Sequence, residues 1–309
     1  MIFACRRAES RFGGQDGFAR QIDRVSETMG YKILRKKYLN RSNVEVEIDA
    51  PAVAAKAEAG QFVILRPLSD SERIPLTVSD YDRKKGTITL IFAPVGETTG
   101  ELAVLGEGDE ICDVCGPLGN PTELDGIKNA VVVGGGVGAA IALPIAKSLK
   151  ERGACVTALL GFRNRDLVIL EDKFAAVCDR VVVATDDGSY GEKGNVVTPL
   201  KGILEGDSVD EVIAIGSVNM MKFVSLATKP FGVKTVVSLN PIMIDGTGMC
   251  GGCRVTVGGK TRFACVDGPD FDGHEVDFDS LLKANSRFSA FEHKRKEDCR
   301  LFSGVGGDK

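Results

Sequence analysis

The sequence predicts a multidomain β plus α/β protein: an antiparallel β-barrel, then a doubly wound parallel sheet, then a small cysteine-rich C-terminal domain. Three observations carry that prediction. Short strand patterns broken by turns run from Val44 to about Glu123, strand and helix patterns alternate from Ala130, and a Gly- and Cys-rich run follows Leu239.

The barrel comes first. Val44-Glu-Val-Glu-Ile48 alternates apolar and polar residues, as a half-buried strand does. Residues 61–65 and 87–92 behave alike, with Gly60 and Gly86 just before them. Ahead of these, residues 1–28 are polar and irregular, and Met29-Gly30 followed by Tyr31-Lys-Ile-Leu34 reads as a fresh beginning. We expect the extension to reflect an upstream start codon, with a partner-binding arm as the alternative. It carries Arg6, Arg7, Arg11, Arg20 and Arg24 but no continuous apolar segment, which is not the pattern of a signal peptide.

The pattern changes at Ala130. Ala130-Val-Val-Val133 is continuously apolar, as a strand covered on both faces is. A glycine turn follows, residues 139–151 read as a helix, and Gly153 marks its end. Residues 156–160, 180–184 and 211–215 supply further strands, with a helix near residues 170–177. Alternating strands and helices make a parallel, doubly wound sheet. The expected organisation is an extension over 1–28, the barrel over 29–126, the α/β domain over 127–238, the Cys-rich domain over 239–288 and a polar tail over 289–309.

Composition narrows the function classes. A chain of 309 residues buries enough surface for two or three domains. The net charge is −4 with no basic stripe, so no nucleic-acid partner is expected. The 37 glycines make up about 12% of the chain against a typical ~7%, and their clustering suggests backbone brought close to ligands. Nine cysteines, an odd count, argue against a disulfide framework. The longest apolar stretch, residues 130–146, holds four glycines and Pro144 and falls short of the ~20 residues of a spanning helix. No membrane insertion is expected, and a cytoplasmic location is. His274 and His293 are the only histidines, which excludes a multi-histidine metal site.

The sharpest chemical signal is Asp245-Gly-Thr-Gly-Met-Cys250-Gly-Gly-Cys253, with Cys265 eleven residues beyond. The spacing D-x4-C-x2-C-x11-C places aspartate where the plant-type [2Fe–2S] pattern has its first cysteine. A two-residue gap lets neighbouring thiolates reach one centre, and glycines let backbone amides turn toward sulfur. A zinc site of three Cys and one Asp is the alternative. Cys112-Asp-Val-Cys115 has C-x2-C spacing too, but no second pair is near it in the sequence, and we read it as core.

Val133-Gly134-Gly135-Gly136-Val137-Gly138 lies between a strand and a helix, where a dinucleotide's phosphates need close backbone approach and a helix N-terminus. A tight turn without a ligand is the alternative. Gly216-Ser-Val-Asn-Met220-Met221 follows the last of these strands, at the sheet's carboxyl edge, where ligands bind in doubly wound folds. In the barrel, Arg73-Ile-Pro75-Leu76-Thr77 and Gly96-Glu-Thr98-Thr99 are candidate flavin contacts, since arginine pairs with pyrophosphate and a hydroxyl can hydrogen-bond the ring. Each also reads as a surface turn.

Together these residues resemble the ferredoxin–NADP+ reductase superfamily. The likeness is nearest to its electron-transfer-subunit branch, which includes dihydroorotate dehydrogenase electron transfer subunits. Within that branch the likeness is nearest to the alpha (small) subunits of NADH-dependent reduced ferredoxin:NADP+ oxidoreductases, also called sulfide dehydrogenases, because Asp245 stands where the dihydroorotate subunits normally carry cysteine. Glu72-Arg-Ile-Pro-Leu-Thr77, Gly116-Pro-Leu-Gly119, Thr185-Asp-Asp-Gly-Ser-Tyr-Gly191, the run from Ser238 to Cys250 and the run from Phe263 to Gly273 carry the likeness. It covers about residues 29–288. Two departures stand out: Ala140-Ile141 where relatives carry Ala-Pro, and Ser217 where proline is usual.

The resemblance implies FAD in the barrel, with Arg73 at the pyrophosphate and Thr77 near the isoalloxazine, while Gly96 and Thr99 would line the other side of the flavin. It implies NAD(H), with NADP(H) as the alternative, over Gly134–Gly138 with Asp187, Gly188 and Ser189 close by. It implies a [2Fe–2S] cluster on Asp245, Cys250, Cys253 and Cys265. The expected role is a subunit that exchanges hydride between NAD(H) and FAD and single electrons with the cluster. The implied partner is a larger, glutamate-synthase-like flavo-iron–sulfur subunit in a heterodimer, through which ferredoxin is reached. That assembly would be an electron-bifurcating transhydrogenase. The rival readings are a subunit of a dihydroorotate or sulfide dehydrogenase, and a non-catalytic binding module with structural zinc.

Overall fold

The computed structural model describes residues 30–288. Residues 1–29 and 289–309, and with them the expected extension and tail, lie outside the described residues.

Seven antiparallel strands form the first unit of structure: β1 (Tyr31–Asn40), β2 (Asn43–Asp49), β3 (Phe62–Arg66), β4 (Ile74–Asp82), β5 (Thr87–Phe92), β6 (Glu110–Ile111) and β7 (Asp113–Leu118). They pair in the order β6-β1-β2-β5-β4-β3-β7. Alternation sends Val44, Val46, Ile48, Val63, Leu65, Ile88 and Leu90 into one enclosed core. Two helices decorate the barrel, α1 (Pro51–Ala54) and α2 (Glu97–Val104), and α2 buries Leu102 in the same core. The sequence pattern misses β1, β4, β6 and β7, whose exposed or charged residues blur the two-residue period. The reading of Cys112 and Cys115 as core is corrected: β7 is the last strand of its sheet, Cys115 is exposed and Cys112 half-buried.

The second sheet is parallel over β8 (Asn129–Gly135), β9 (Cys155–Phe162), β10 (Arg180–Thr185), β11 (Glu192–Lys193), β12 (Glu211–Ile215) and β13 (Lys234–Ser238). Its crossover helices are α3 (Gly138–Glu151), α4 (Glu171–Ala175), α5 (Val197–Gly206) and α6 (Val218–Thr228). One face packs Val132, Ala158, Leu160 and Ile213 against Ile145, Ala146 and Leu149 of α3. The other packs Val131, Val133, Leu159 and Val212 against α5 and α6. The order β11-β10-β9-β8-β12-β13 reverses direction between β8 and β12. A crevice opens at such a switch point.

The C-terminal segment comprises the hairpin β14 (Arg254–Val257) and β15 (Lys260–Phe263), α7 (Ala264–Asp267), β16 (Asp270–Asp272) and α8 (Phe278–Asn285). It is not a separate body. Strand β16 pairs antiparallel with β13 and extends the parallel sheet by one strand. Cys253, Val255, Cys265, Phe278 and Leu281 share one core with Val131 and Leu159 of that sheet and with Phe62 and Ile64 of the barrel. Ion pairs also join barrel and sheet: Lys147 of α3 to Asp80 of β4 at 2.7 Å, and Lys173 of α4 to Glu45 of β2 at 2.9 Å. We keep the divisions at 126/127 and 238/239 as proposed boundaries.

Candidate functional site

The glycine turn is built by contact. Gly134 and Gly135 end β8 and Gly138 starts α3, so the turn lies at the switch point beside β12. A Cβ on Gly138 would lie 2.4 Å from the carbonyl oxygen of Ile215, so only glycine lets α3 start this close to β12. The two methionines after Gly216 part company here. Met221 is fully buried in the core, while Met220 is half-buried with its sulfur against Gly135 and its methyl against Gly216. Ser217 caps α6 by accepting the Met220 N–H at 3.2 Å, a task for a hydroxyl that a proline could not perform.

Asp187, Gly188 and Ser189 follow β10 at the same carboxyl edge. The Ser189 hydroxyl and N–H both donate to Asp187 Oδ1, at 2.6 and 2.9 Å, and hold the Asp187 carboxyl below the usual carboxylate range. The Arg165 N–H donates to Ser189 Oγ at 2.8 Å, and the Arg165 guanidinium lies 5.5 Å from the centre of the Tyr190 ring. Nothing in the local sequence singles out Arg165; its contacts with Ser189 and Tyr190 are what place it.

In the barrel, Pro75, Leu76 and Thr77 are half-buried on β4, opposite Ile64, Val63 and Phe62 of β3, and Arg73 is exposed just before the strand. The loop that leads to Arg73 is tied to α2 by Ser71 Oγ donating to Glu101 Oε2 at 2.6 Å. Gly96 is the residue before α2. Thr99 Oγ1 accepts the Gly96 and Val95 N–H groups at 2.9 and 3.1 Å, so that hydroxyl organises the helix start. Thr98 is buried. What α2 can offer an anion is therefore its first-turn backbone amides, favoured further by the helix dipole.

The cysteine loop lies against the side chains of Ile64 on β3 and Leu118 on β7. Gly246 has φ +77°, and a Cβ there would lie 2.6 Å from Leu118 Cδ1 and 2.8 Å from Ile64 Cγ1. Ile64 is also the β3 residue paired with Pro75 and with Cys115, so the loop and the β4 candidates flank one residue of β3. Asp245 organises the loop: Oδ1 accepts the Thr247 N–H at 2.8 Å and Oδ2 the Cys250 N–H at 2.7 Å, which lowers its pKa. Cys250 is exposed and its sulfur accepts the Gly252 N–H at 3.4 Å. Cys253 and Cys265 are buried with their sulfurs 3.2 Å apart, too far for a disulfide.

This donor set fits a two-iron cluster. Burial and the Cys253 thiol push the Cys265 pKa up to about 12, so thiolates here need a cation to form. The four side chains fall into two pairs, buried Cys253 with Cys265 and outer Asp245 with Cys250. Two irons share four ligands as two pairs.

Comparison with known proteins agrees with this geometry. Residues 240–277 match the iron–sulfur cluster binding domain of dihydroorotate dehydrogenase B. The chain is 45% identical over 277 residues to a dihydroorotate dehydrogenase B (NAD(+)) electron transfer subunit homolog of Thermotoga maritima, covering 90% of this chain and 97% of that one. It is 35% identical over 253 residues to the electron transfer subunit of Streptococcus pneumoniae, covering 79% of this chain and 96% of that one. Among solved structures, a chain of the NADH-dependent reduced ferredoxin–NADP oxidoreductase, studied for flavin-based electron bifurcation, superposes with a TM-score of 0.83. That match has 45% identity and covers 88% of this chain and 99% of that one. A ferredoxin NADP+ reductase from Neisseria gonorrhoeae shares the fold alone, at 18% identity and a TM-score of 0.55, over 66% of this chain and 91% of that one. The chain belongs to the family of dihydroorotate dehydrogenase B electron transfer subunits, on the ferredoxin–NADP+ reductase fold.

Proposed function

We propose that the chain is the flavo-iron–sulfur electron-transfer subunit of an NADH-dependent reduced ferredoxin:NADP+ oxidoreductase. It would exchange hydride between NAD(H) and FAD and single electrons with a [2Fe–2S] cluster. The observation that carries this reading is the contact of the cysteine loop with Ile64 of β3, one strand from the β4 residues expected to hold flavin. The 45% identity to a chain of the NADH-dependent reduced ferredoxin–NADP oxidoreductase supports the assignment to that enzyme.

A bound flavin would supply the conversion between two-electron and one-electron transfer that a nicotinamide and a two-iron cluster cannot perform together. The chain's own residues bind and orient. Gly134–Gly138 and the start of α3 receive the dinucleotide pyrophosphate, with Asp187, Gly188 and Ser189 beside the adenosine end and Gly216 and Met220 lining the crevice. Arg73 and the Thr98 and Thr99 amides at the start of α2 would hold the flavin pyrophosphate beside Gly96, while Pro75, Leu76 and Thr77 would line its ring. Asp245, Cys250, Cys253 and Cys265 hold the cluster. No side chain is asked to move a proton in the hydride step. The proposed partner is a larger flavo-iron–sulfur subunit that contacts ferredoxin, and the proposed location is the cytoplasm; among the described residues no helix is long and apolar enough to cross a membrane.

The names of the relatives favour a second reading, service to a dihydroorotate dehydrogenase. The subunit that copurifies with the chain from its own host decides between the two. The common core of both is tested by a visible spectrum of anaerobically purified protein, with iron and acid-labile sulfide assays, before and after NADH. Flavin bands with a cluster shoulder, bleached by NADH, are expected. A colourless zinc protein indifferent to NADH would overturn both.

A further inference from the structure

Barrel, parallel sheet and cluster segment meet at one short stretch, Gly268-Pro269-Asp270, just after the last cluster ligand. Asn120, in the loop leaving the barrel, donates its N–H to the Gly268 carbonyl at 2.7 Å and its side-chain amide to the Val266 carbonyl at 3.1 Å. The Leu239 N–H, just past β13, donates to the Pro269 carbonyl at 2.9 Å. Asp270 then opens β16 opposite Ser238 of β13. Thr122 of the same barrel exit loop donates its hydroxyl to Asp270 Oδ2 at 2.6 Å. Thr122 is itself anchored, its N–H donating to the Ala59 carbonyl of the barrel at 2.9 Å.

We propose that Asp270 is a positioning residue for electron transfer: through Thr122 and β13 it locks the cluster-bearing segment to the barrel and the sheet at once. A carboxyl is a costly choice for such a joint. Its Oδ1 is sealed from solvent, and burial raises its pKa, which the Thr122 and Ser238 hydroxyls only partly offset. A valine here would still pack, but it would leave Thr122 without its acceptor and β16 free to settle in neighbouring arrangements. A hydrogen bond with one geometry selects one of them. Four residues separate Asp270 from Cys265, and most of them lie in α7 or beside it, where the Asp267 carboxylate accepts the Phe263 N–H at 2.7 Å. A shift at Asp270 is thus carried to the cluster ligands, not dissipated in a loop.

The inference rests on the reading of the chain as a flavin and cluster carrier. The test uses the holoprotein and the variants Asp270→Val, Thr122→Val, Asp270→Asn and Thr122→Ser. Flavin and cluster reduction by NADH are followed separately by anaerobic stopped flow, and hydrogen exchange is measured at the Asn120 and Leu239 amides. Both valine variants should reduce flavin within about twofold of the parent yet reduce the cluster roughly three- to tenfold more slowly, the scale on which electron tunnelling falls over about 1–2 Å. Their Asn120 and Leu239 amides should exchange faster, and the Asn and Ser variants should restore both readouts. Unchanged cluster reduction and exchange in the valine variants would overturn the proposal. So would a uniform loss of both rates with a lowered melting temperature, which marks a stability role alone. A parent protein without flavin or cluster would sink the functional reading instead, and exchange at the two amides would still report on the joint.

Discussion

Gly246 and Ile64 stand closer than any side chain at position 246 permits: a Cβ there would lie only 2.8 Å from Ile64 Cγ1. The cluster loop therefore rests directly on barrel side chains, with no layer between them.

Replacing Gly246 by alanine forces a Cβ into Ile64 and Leu118 from a left-handed backbone position. Overpacking of this kind costs about 1–3 kcal/mol. We expect iron and sulfide content to fall and the melting temperature of the holoprotein to drop, while flavin content is retained. Full cluster occupancy in the variant would show that the loop has slack that its contacts do not suggest.

Gly138→Ala tests the dinucleotide crevice. The new methyl would meet the Ile215 carbonyl and push α3 away from β12. NADH affinity, followed by flavin bleaching, should weaken by at least tenfold, about 1.4 kcal/mol. The cluster and flavin spectra of the resting protein should not change.

The ligand set makes a third prediction. Cys253→Ser removes one of two buried sulfurs and should abolish the cluster while NADH still bleaches flavin. Asp245→Cys should keep a cluster, because thiolate is a competent donor, but move its midpoint potential by changing donor softness and loop hydrogen bonding. Titration monitored by electron paramagnetic resonance reads both, and an identical potential would count against Asp245 as a ligand.

Acid sensitivity should trace partly to Asp210. Its Oδ2 accepts the Asn129 and Lys128 N–H groups at 2.8 and 2.9 Å and so ties the start of β12 to the start of β8. Those amides, the Asn129 one first, lower its pKa. A depressed carboxylate stabilises the fold while ionised, above its ordinary pKa, and that contribution fades as pH falls through the depressed value. Denaturation of the parent and of Asp210→Asn should differ most near neutral pH and converge from about pH 5 toward about pH 3. A constant gap across that range would remove Asp210 from the account.

Much of the fold and the site is legible in the residues. Strands 87–92 and 211–215 can be read to the residue because β-branched and apolar side chains dominate them and nearly all of their residues are buried. The turn at Gly134–Gly138 and the motif from Asp245 to Cys265 are legible because spacing alone constrains them. Strand β1 is not, since its ten residues are mostly exposed or half-buried and carry four cations. Thr122 and Asp270 are hidden for another reason: each has its role from a partner 148 positions away, which no local pattern encodes. Met220 is legible from its place after Gly216 at the sheet's carboxyl edge, although only the structure separates it from its neighbour Met221, which is core.

The pairing of β16 with β13 has a consequence for biogenesis. Until residues 270–272 leave the ribosome, β13 is an open edge with unpaired amides and carbonyls, and the apolar face beneath Cys253 and Leu281 is uncovered. Nascent chains stalled before residue 270 should therefore engage chaperones and aggregate, whereas chains released a few tens of residues later should not. The sheet stays exposed to misassembly until its closing strand emerges, so that strand serves folding yield as well as the finished molecule.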